Sequence, residues 1–144
     1  MRSFEFRIAI RRPVAAVFAV YTQPDTWRFC SYIRDTRWVV GQAWEVESRL
    51  RIETENTVGG TIDQVLMHFE PNRRADFLSH FAGITLQTRA TFYALSERET
   101  EVRVQGEFVG VFSRIAAFAI ENVIEQGSRE FFEDLKHACE GTPV

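Results

Sequence analysis

The chain has 144 residues and a formal net charge of −3, from 17 basic and 20 acidic side chains that are mixed along its length. This length suits a single domain over residues 1–144, with a core that needs neither a metal nor disulfides. The mixed charge disfavours nucleic acid as a partner. No run of about 18 apolar residues indicates a transmembrane segment, and the N-terminus alternates rather than forming a signal peptide. We therefore expect a cytoplasmic protein.

The first third of the chain predicts one strand followed by two short helices. Apolar and polar residues alternate over residues 3–10, which is the period of a half-buried strand. Pro13 suits the first turn of a helix, because it has no N–H to leave unpaired there, and helical spacing continues over residues 13–21. A second short helix is predicted from Pro24 to about Cys30.

The middle of the chain predicts six further strands, from Arg37 to Val111. The clearest alternation runs over residues 42–53, QAWEVESRLRIE, where charged side chains occupy every second position. Turns are expected at the Gly59-Gly60 pair, at Pro71-Asn72 and at Gly83.

The C-terminal third predicts one long helix, from Phe112 to Glu140, closed by Gly141 and Pro143. Gly127 lies at the centre of its apolar stripe, although an interior glycine costs roughly 1 kcal/mol against alanine. The missing side chain leaves room for a bulky sheet residue, a kink or a ligand, and the sequence leaves these alternatives open. The stripe consists of Ala117, Ile120, Ile124, Gly127, Phe131, Leu135 and Ala138.

The order of these elements resembles the START-like superfamily, also called SRPBCC or helix-grip proteins. The resemblance rests on FEFRIAIRRPVAAVFAVYTQPDTW near the N-terminus and on FEPNRRADF at residues 69–77. It implies an α+β helix-grip fold, in which a curved antiparallel sheet of about seven strands wraps around the long C-terminal helix. It also implies a cavity between sheet and helix that binds a hydrophobic small molecule.

The inner faces of the predicted strands carry apolar side chains with a few hydroxyls. A slip of one residue in register would turn every side chain over, and would bring in His68 with Leu66 or His80 with Leu78. The predicted cavity residues are Trp44, Val46, Ser48, Leu50, Met67, Phe69, Phe77, Ser79, Leu86, Thr88, Phe92, Val104, Phe108, Ile120, Ile124, Gly127 and Phe131.

The sequence offers few groups for catalysis. His68 and His80 are the candidates for acid–base chemistry, because a catalytic group must lie within reach of the proton that it moves. The histidines lack metal-ligand spacing, and Cys30 and Cys139 follow no C-x-x-C pattern. We therefore expect no metal and no cofactor.

Three functions remain open. The first is binding or transport of a lipid, an isoprenoid or a polyketide. The second is a cyclase or dehydratase-like enzyme, since the superfamily includes such enzymes. The third is a protein-partner module with a filled interior. The first half of the C-terminal helix has a broad apolar arc, which would also suit a homodimer contact.

Overall fold

The computed structural model of the protein describes residues 3–55, 60–118 and 120–141. A seven-stranded antiparallel sheet has the order β1-β7-β6-β5-β4-β3-β2, and a long C-terminal helix packs against its inner face, which confirms the predicted α+β architecture. The strands are β1 Ser3–Ile10, β2 Ile33–Val40, β3 Arg49–Thr54, β4 Thr61–Glu70, β5 Arg74–Phe81, β6 Ile84–Ala94 and β7 Thr100–Phe108. The helices are α1 Val14–Tyr21, a 3-10 helix Pro24–Phe29, α2 Val111–Ala117 and α3 Glu121–Cys139.

The N-terminal elements follow the sequence pattern closely. Every second residue of β1 is buried, and the strand pairs with β7 along its whole length. Pro13 directly precedes α1 with φ of −60°, so the helix starts as predicted. The indole N–H of Trp27 donates a hydrogen bond of 2.9 Å to the carbonyl of Tyr21, which holds the 3-10 helix against α1.

The predicted strand over residues 42–53 is wrong in its first half. Residues 42–48 form turns, and β3 begins only at Arg49. Trp44 and Glu47 have φ of 63° and 75°, a left-handed conformation that cannot continue a strand ladder. Val46 consequently lies on the surface and is 52% exposed.

The predicted register of β4 is also wrong, because the strand contains an irregularity. Its pairing with β5 shifts between Leu66 and His68, as it does when a β-bulge adds one residue. Leu66 is fully buried, whereas Met67 is 47% exposed. After the shift, odd-numbered rather than even-numbered residues face inward, so Phe69 packs against the core as predicted.

The predicted single C-terminal helix is two helices. The chain bends between α2 and α3, where Ile120 has φ of −129°. The helices have different docking partners, since α2 contacts β6 and β7 while α3 contacts β1 and α1. One straight helix could not make both sets of contacts.

Part of the predicted apolar stripe differs in the same region. The buried residues of α3 include Phe132 and Cys139 beside Phe131 and Leu135, whereas Ala138 is exposed. Gly59, Pro143 and the side chains of Phe112 and Ala117 lie outside the described part of the structure. Within the described residues, no helix combines the length and hydropathy needed to cross a bilayer.

Candidate ligand-binding cavity

A cavity of about 440 Å³ lies between the inner face of the sheet and α3. Its volume falls within the range of about 300–1,000 Å³ that is typical of small-molecule sites. The sheet side and the N-terminal elements contribute Tyr21, Trp27, Tyr32, Ile33, Ile52, Glu55, Ile62, Gln64, Ala75, Phe77, Ser79, Phe81, Leu86, Thr88, Ala90 and Val104. The helix α3 contributes Val123, Ile124, Gln126, Gly127, Ser128, Glu130, Phe131 and Phe132.

The structure brings only part of the predicted cavity residues to this wall. Val46 and Met67 are exposed elsewhere, and their prediction as inward-facing residues is wrong. The predicted residues that line the cavity are Phe77, Ser79, Leu86, Thr88, Val104, Ile124, Gly127 and Phe131. The others, Trp44, Ser48, Leu50, Phe69, Phe92, Phe108 and Ile120, are buried or half-buried away from the wall. Ligand contact by the lining residues stays a prediction.

Aromatic packing explains why the predicted rings Trp44, Phe69 and Phe92 do not reach the cavity. The ring of Tyr21 lies 5.9 Å from that of Trp44 and 5.2 Å from that of Phe92, between centroids. The rings of Trp44 and Phe69 are stacked at 5.2 Å. The indole N–H of Trp44 donates to the carbonyl of Thr22 at 2.7 Å. These rings therefore form a packed cluster, and Tyr21 is the member that also lines the cavity.

Gly127 borders open space. Apart from its chain neighbours and the backbone of its own helix, a Cβ atom built at this position would meet no atom of the described residues within 4 Å, so no described sheet side chain occupies the room that the glycine leaves. The helix α3 continues through this position from Glu121 to Cys139. Among the alternatives that the sequence leaves open, the structure therefore favours free space beside the helix.

The cavity meets solvent at the side where β2, β3 and α3 come together. Glu55 and Gln126 are exposed there, and Val123 is 59% exposed. Glu55 forms an ion pair of 3.6 Å with Arg34, and Glu130 accepts a hydrogen bond of 3.3 Å from Ser31. Within the described lining, the charged side chains are thus two carboxylates close to this mouth.

The deeper wall carries polar groups without formal charge. The Nε2 of Gln64 donates to the Oγ of Ser79 at 3.1 Å, while the Oε1 of Gln64 is buried and has no hydrogen-bond partner among the described residues. Burial, helped by the negative charge of Asp76, raises the pKa of Tyr21, so its hydroxyl keeps its proton at neutral pH. Sequence reasoning missed Gln64, because the register without a bulge predicted its neighbour Val65 to face inward.

The candidate catalytic histidines do not line the cavity. The Nε2 of His68 lies 2.6 Å from the carboxylate of Glu70, and the Nδ1 of exposed His80 lies 3.2 Å from the hydroxyl of Thr85. The irregularity in β4 falls between Leu66 and His68. Leu66 therefore faces inward, and His68 does not face inward with it. Neither histidine is in place to move a proton on a molecule in the cavity.

A second group of titratable residues lies behind the mouth. The Sγ of Cys30 and carboxylate oxygens of Glu130 and Asp134 lie within 4.8 Å of one another. Burial raises the pKa of the Cys30 thiol to about 12. Burial and the nearby charge of Glu130 raise the pKa of Asp134. In this state Cys30 is a protonated thiol, whereas the thiolate is the form that binds metals.

The architecture is that of the helix-grip proteins. The aromatase/cyclase Zhui from Streptomyces sp. R1128 is similar in structure, with a TM-score of 0.78 at 14% sequence identity over 96% of this chain and 93% of that one. Norcoclaurine synthase from Thalictrum flavum, solved with dopamine and hydroxybenzaldehyde, gives 0.74 at 7% identity over 99% of this chain and 89% of that one.

A larger protein is similar over one part of its length. The di-domain aromatase/cyclase BexL of the BE-7585A biosynthetic pathway has a TM-score of 0.76 at 18% identity over 95% of this chain. This chain spans 46% of that protein, or about half. The sequence matches no protein-family model and no curated protein. These similarities show the helix-grip fold alone, and the chemistry of the cavity is the evidence for function.

Proposed function

We propose that this protein binds a hydrophobic small molecule in the cavity between the sheet and α3. The observation that carries the proposal is the wall itself, which encloses about 440 Å³ and is apolar apart from a few uncharged polar groups and the carboxylates at the mouth. Apolar burial contributes roughly 25 cal/mol per Å² before the costs of association are subtracted. A lipid, an isoprenoid or an aromatic polyketide would each gain affinity in this way.

The charges at the mouth favour a neutral ligand. Glu55 and Glu130 are the charged side chains in the described lining. Since Glu55 is paired with Arg34, it is mainly Glu130 that would repel a carboxylate or a phosphate entering the cavity. A neutral polyketide or isoprenoid therefore fits better than a free fatty acid. The structurally similar proteins give independent support for an aromatic ligand, since Zhui is an aromatase/cyclase and norcoclaurine synthase was solved with two small aromatic molecules.

A cyclase-like enzyme is the second candidate, and Tyr21 is the observation that favours it. Its phenol lines the cavity and is held protonated by burial, so it can donate a hydrogen bond to a carbonyl group of a bound molecule and polarise it. This reading expects Tyr21→Phe to abolish turnover of a polyketide substrate while leaving its affinity largely unchanged. Loss of affinity and turnover together would assign Tyr21 to binding alone.

The protein-partner function and the homodimer receive less support from the described residues. The cavity is not the filled interior that a partner module would have. The helix α2 exposes Val111 and Ile115, and the residue that directly follows it, Phe118, is also exposed, each at 68% or more. The spacing of these positions places them on one face, which would suit a dimer contact. The homodimer stays a prediction.

Titration with the neutral fluorescent dye Nile red tests the proposed function. The wild-type protein should bind the dye with increased emission, and Leu86→Arg should abolish binding, because it places a charge in the apolar wall. Leu95→Arg is the matched control, since Leu95 is 53% exposed and should tolerate the charge. Equal affinity in a folded Leu86→Arg protein would overturn the assignment of the cavity.

A further inference from the structure

Gln64 is the most unusual residue of the cavity wall. On the inner face it stands opposite Leu50 of β3 and Ser79 of β5, and Ser79 in turn stands opposite Leu86 of β6. Its only polar neighbour in this cross-strand row is therefore Ser79. An amide with four hydrogen-bonding positions lies in a wall that offers it one side-chain partner.

The amide is left largely unsatisfied by the protein. The Nε2 donates to Ser79, but the buried Oε1 finds no partner within the part of the chain that the structure describes, and an unpaired buried acceptor is unfavourable. Turning the amide over would not help, since it would bury both hydrogens of the NH2 group in place of one oxygen. The polar group is thus retained at a cost that packing does not explain.

From this we infer that Gln64, with Ser79, recognises a hydroxyl group on the hydrophobic ligand, an inference that rests on the proposed function. A hydroxyl can donate to the Gln64 carbonyl, and it can also accept from the Ser79 hydroxyl, whose oxygen already accepts from Nε2. The terminal torsion of glutamine has a broad energy profile, so the amide can rotate toward a bound ligand. The ligand class is then a neutral, hydroxylated hydrophobic molecule, such as a phenol or an alcohol.

The mouth is consistent with this assignment. Its carboxylates disfavour an acid as the polar group of the ligand. Among the other polar side chains of the described wall, Tyr21, Tyr32, Thr88 and Ser128 carry hydroxyls and Gln126 carries an amide. A ligand with a hydroxyl on an apolar frame would pair with Gln64 and leave the rest of its surface against Phe77, Leu86 and their neighbours. Such a site binds by apolar area and selects by one polar contact.

A comparison of two probes of matched shape tests the inference. The Kd of 2-naphthol and of 2-methylnaphthalene, which carries a methyl group in place of the hydroxyl, is measured by calorimetry for wild type and for Gln64→Met. The Kd of 2-methylnaphthalene divided by that of 2-naphthol should fall about tenfold in the variant, as expected for loss of a buried hydrogen bond. Gln64→Leu should give the same fall and serves as a second variant. Leu95→Met, at an exposed position outside the cavity, is the control and should leave the ratio unchanged.

The outcomes separate the two proposals. If both probes bind and Gln64→Met and Gln64→Leu leave the ratio unchanged, the hydroxyl recognition is wrong and the hydrophobic binding stands. If neither probe binds to the wild-type protein, this inference fails, and the Nile red titration decides whether the proposed function fails with it. Gln64→Met should also unfold at a urea concentration no lower than wild type, since it removes an unpaired buried acceptor.

Discussion

The hydroxyl of Tyr32 donates a hydrogen bond of 2.9 Å to the main-chain carbonyl of Gly127, 95 residues further along the chain. The bond joins the segment before β2 to the middle of α3, and both residues line the cavity. Burial, with the nearby thiol of Cys30, raises the pKa of Tyr32, so the hydroxyl remains a donor through the neutral range. It holds the sheet edge and the helix together beside the mouth.

Removal of this hydroxyl should destabilise the protein. Tyr32→Phe leaves the ring in place and removes only the hydrogen bond, so the free energy of unfolding should fall by about 1 kcal/mol. Urea denaturation followed by circular dichroism measures the change. Tyr93→Phe is the control, because Tyr93 is 41% exposed. If the two variants unfold alike, the contact between Tyr32 and Gly127 contributes nothing to stability.

The buried carboxylate of Asp76, on the face of the sheet opposite the cavity, should contribute more to stability than the Tyr32 hydroxyl does. The side chain of Asp76 is 4% exposed and lies 2.7 Å from the guanidinium of Arg74 and 3.3 Å from that of Arg89. Burial alone would raise its pKa, but the hydrogen bond from Arg74 and the charge of Arg89 outweigh burial, so the pKa is lowered.

Asp76→Asn should therefore reduce the free energy of unfolding by about 2 kcal/mol at neutral pH. Because folding lowers the pKa of Asp76 below 3.8, the wild-type advantage should disappear as the pH falls through the folded-state pKa. Asp35→Asn removes an exposed ion pair with Arg28 and should change stability by less than about 1 kcal/mol. Equal losses in the two variants would contradict the importance of burial at Asp76.

The buried thiols predict a loss of stability in alkali. Burial raises the pKa of Cys30 from 9.0 to about 12 and that of Cys139 to about 11. The folded state holds these protons more tightly than the unfolded state, so their contribution is complete below pH 9 and is lost as the pH rises toward the folded-state values. Cys30→Ser should flatten the fall in the free energy of unfolding between about pH 9 and pH 11. An unchanged slope would show that the thiol does not titrate differently on folding.

The sequence predicts the fold well where turns fix the register. Asn72 and Gly83 both adopt positive φ in the turns that flank β5, and the strands around them keep the predicted alternation. Phe77, Ser79, Leu86, Thr88 and Val104 therefore reach the cavity wall as predicted. Short turns with recognisable residues transmit the register from one strand to the next.

The prediction fails where the backbone departs from regular structure without a residue signature. Trp44 and Glu47 adopt positive φ although neither is glycine, so alternation over residues 42–48 imitates a strand. The register shift after Leu66 changes which residues of β4 face inward, so the alternation in the sequence does not predict Gln64 as a cavity residue. The bend at Ile120 contains no proline or glycine, and the apolar spacing continues through it. Only tertiary packing determines these three features.

If the space beside Gly127 holds a hydrophobic molecule, filling that space should weaken binding, and the Nile red affinity of Gly127→Leu measures this effect. A leucine side chain would enter the space that the glycine leaves, while replacement of an interior helix glycine should stabilise α3 by up to about 1 kcal/mol. Gly127→Ala is the control, with similar helix stabilisation and little added volume. We predict that Gly127→Leu melts no lower than wild type but binds Nile red at least about tenfold more weakly, as a blocked apolar contact area would require. A folded Gly127→Leu protein with wild-type affinity would show that the ligand does not occupy the space beside Gly127.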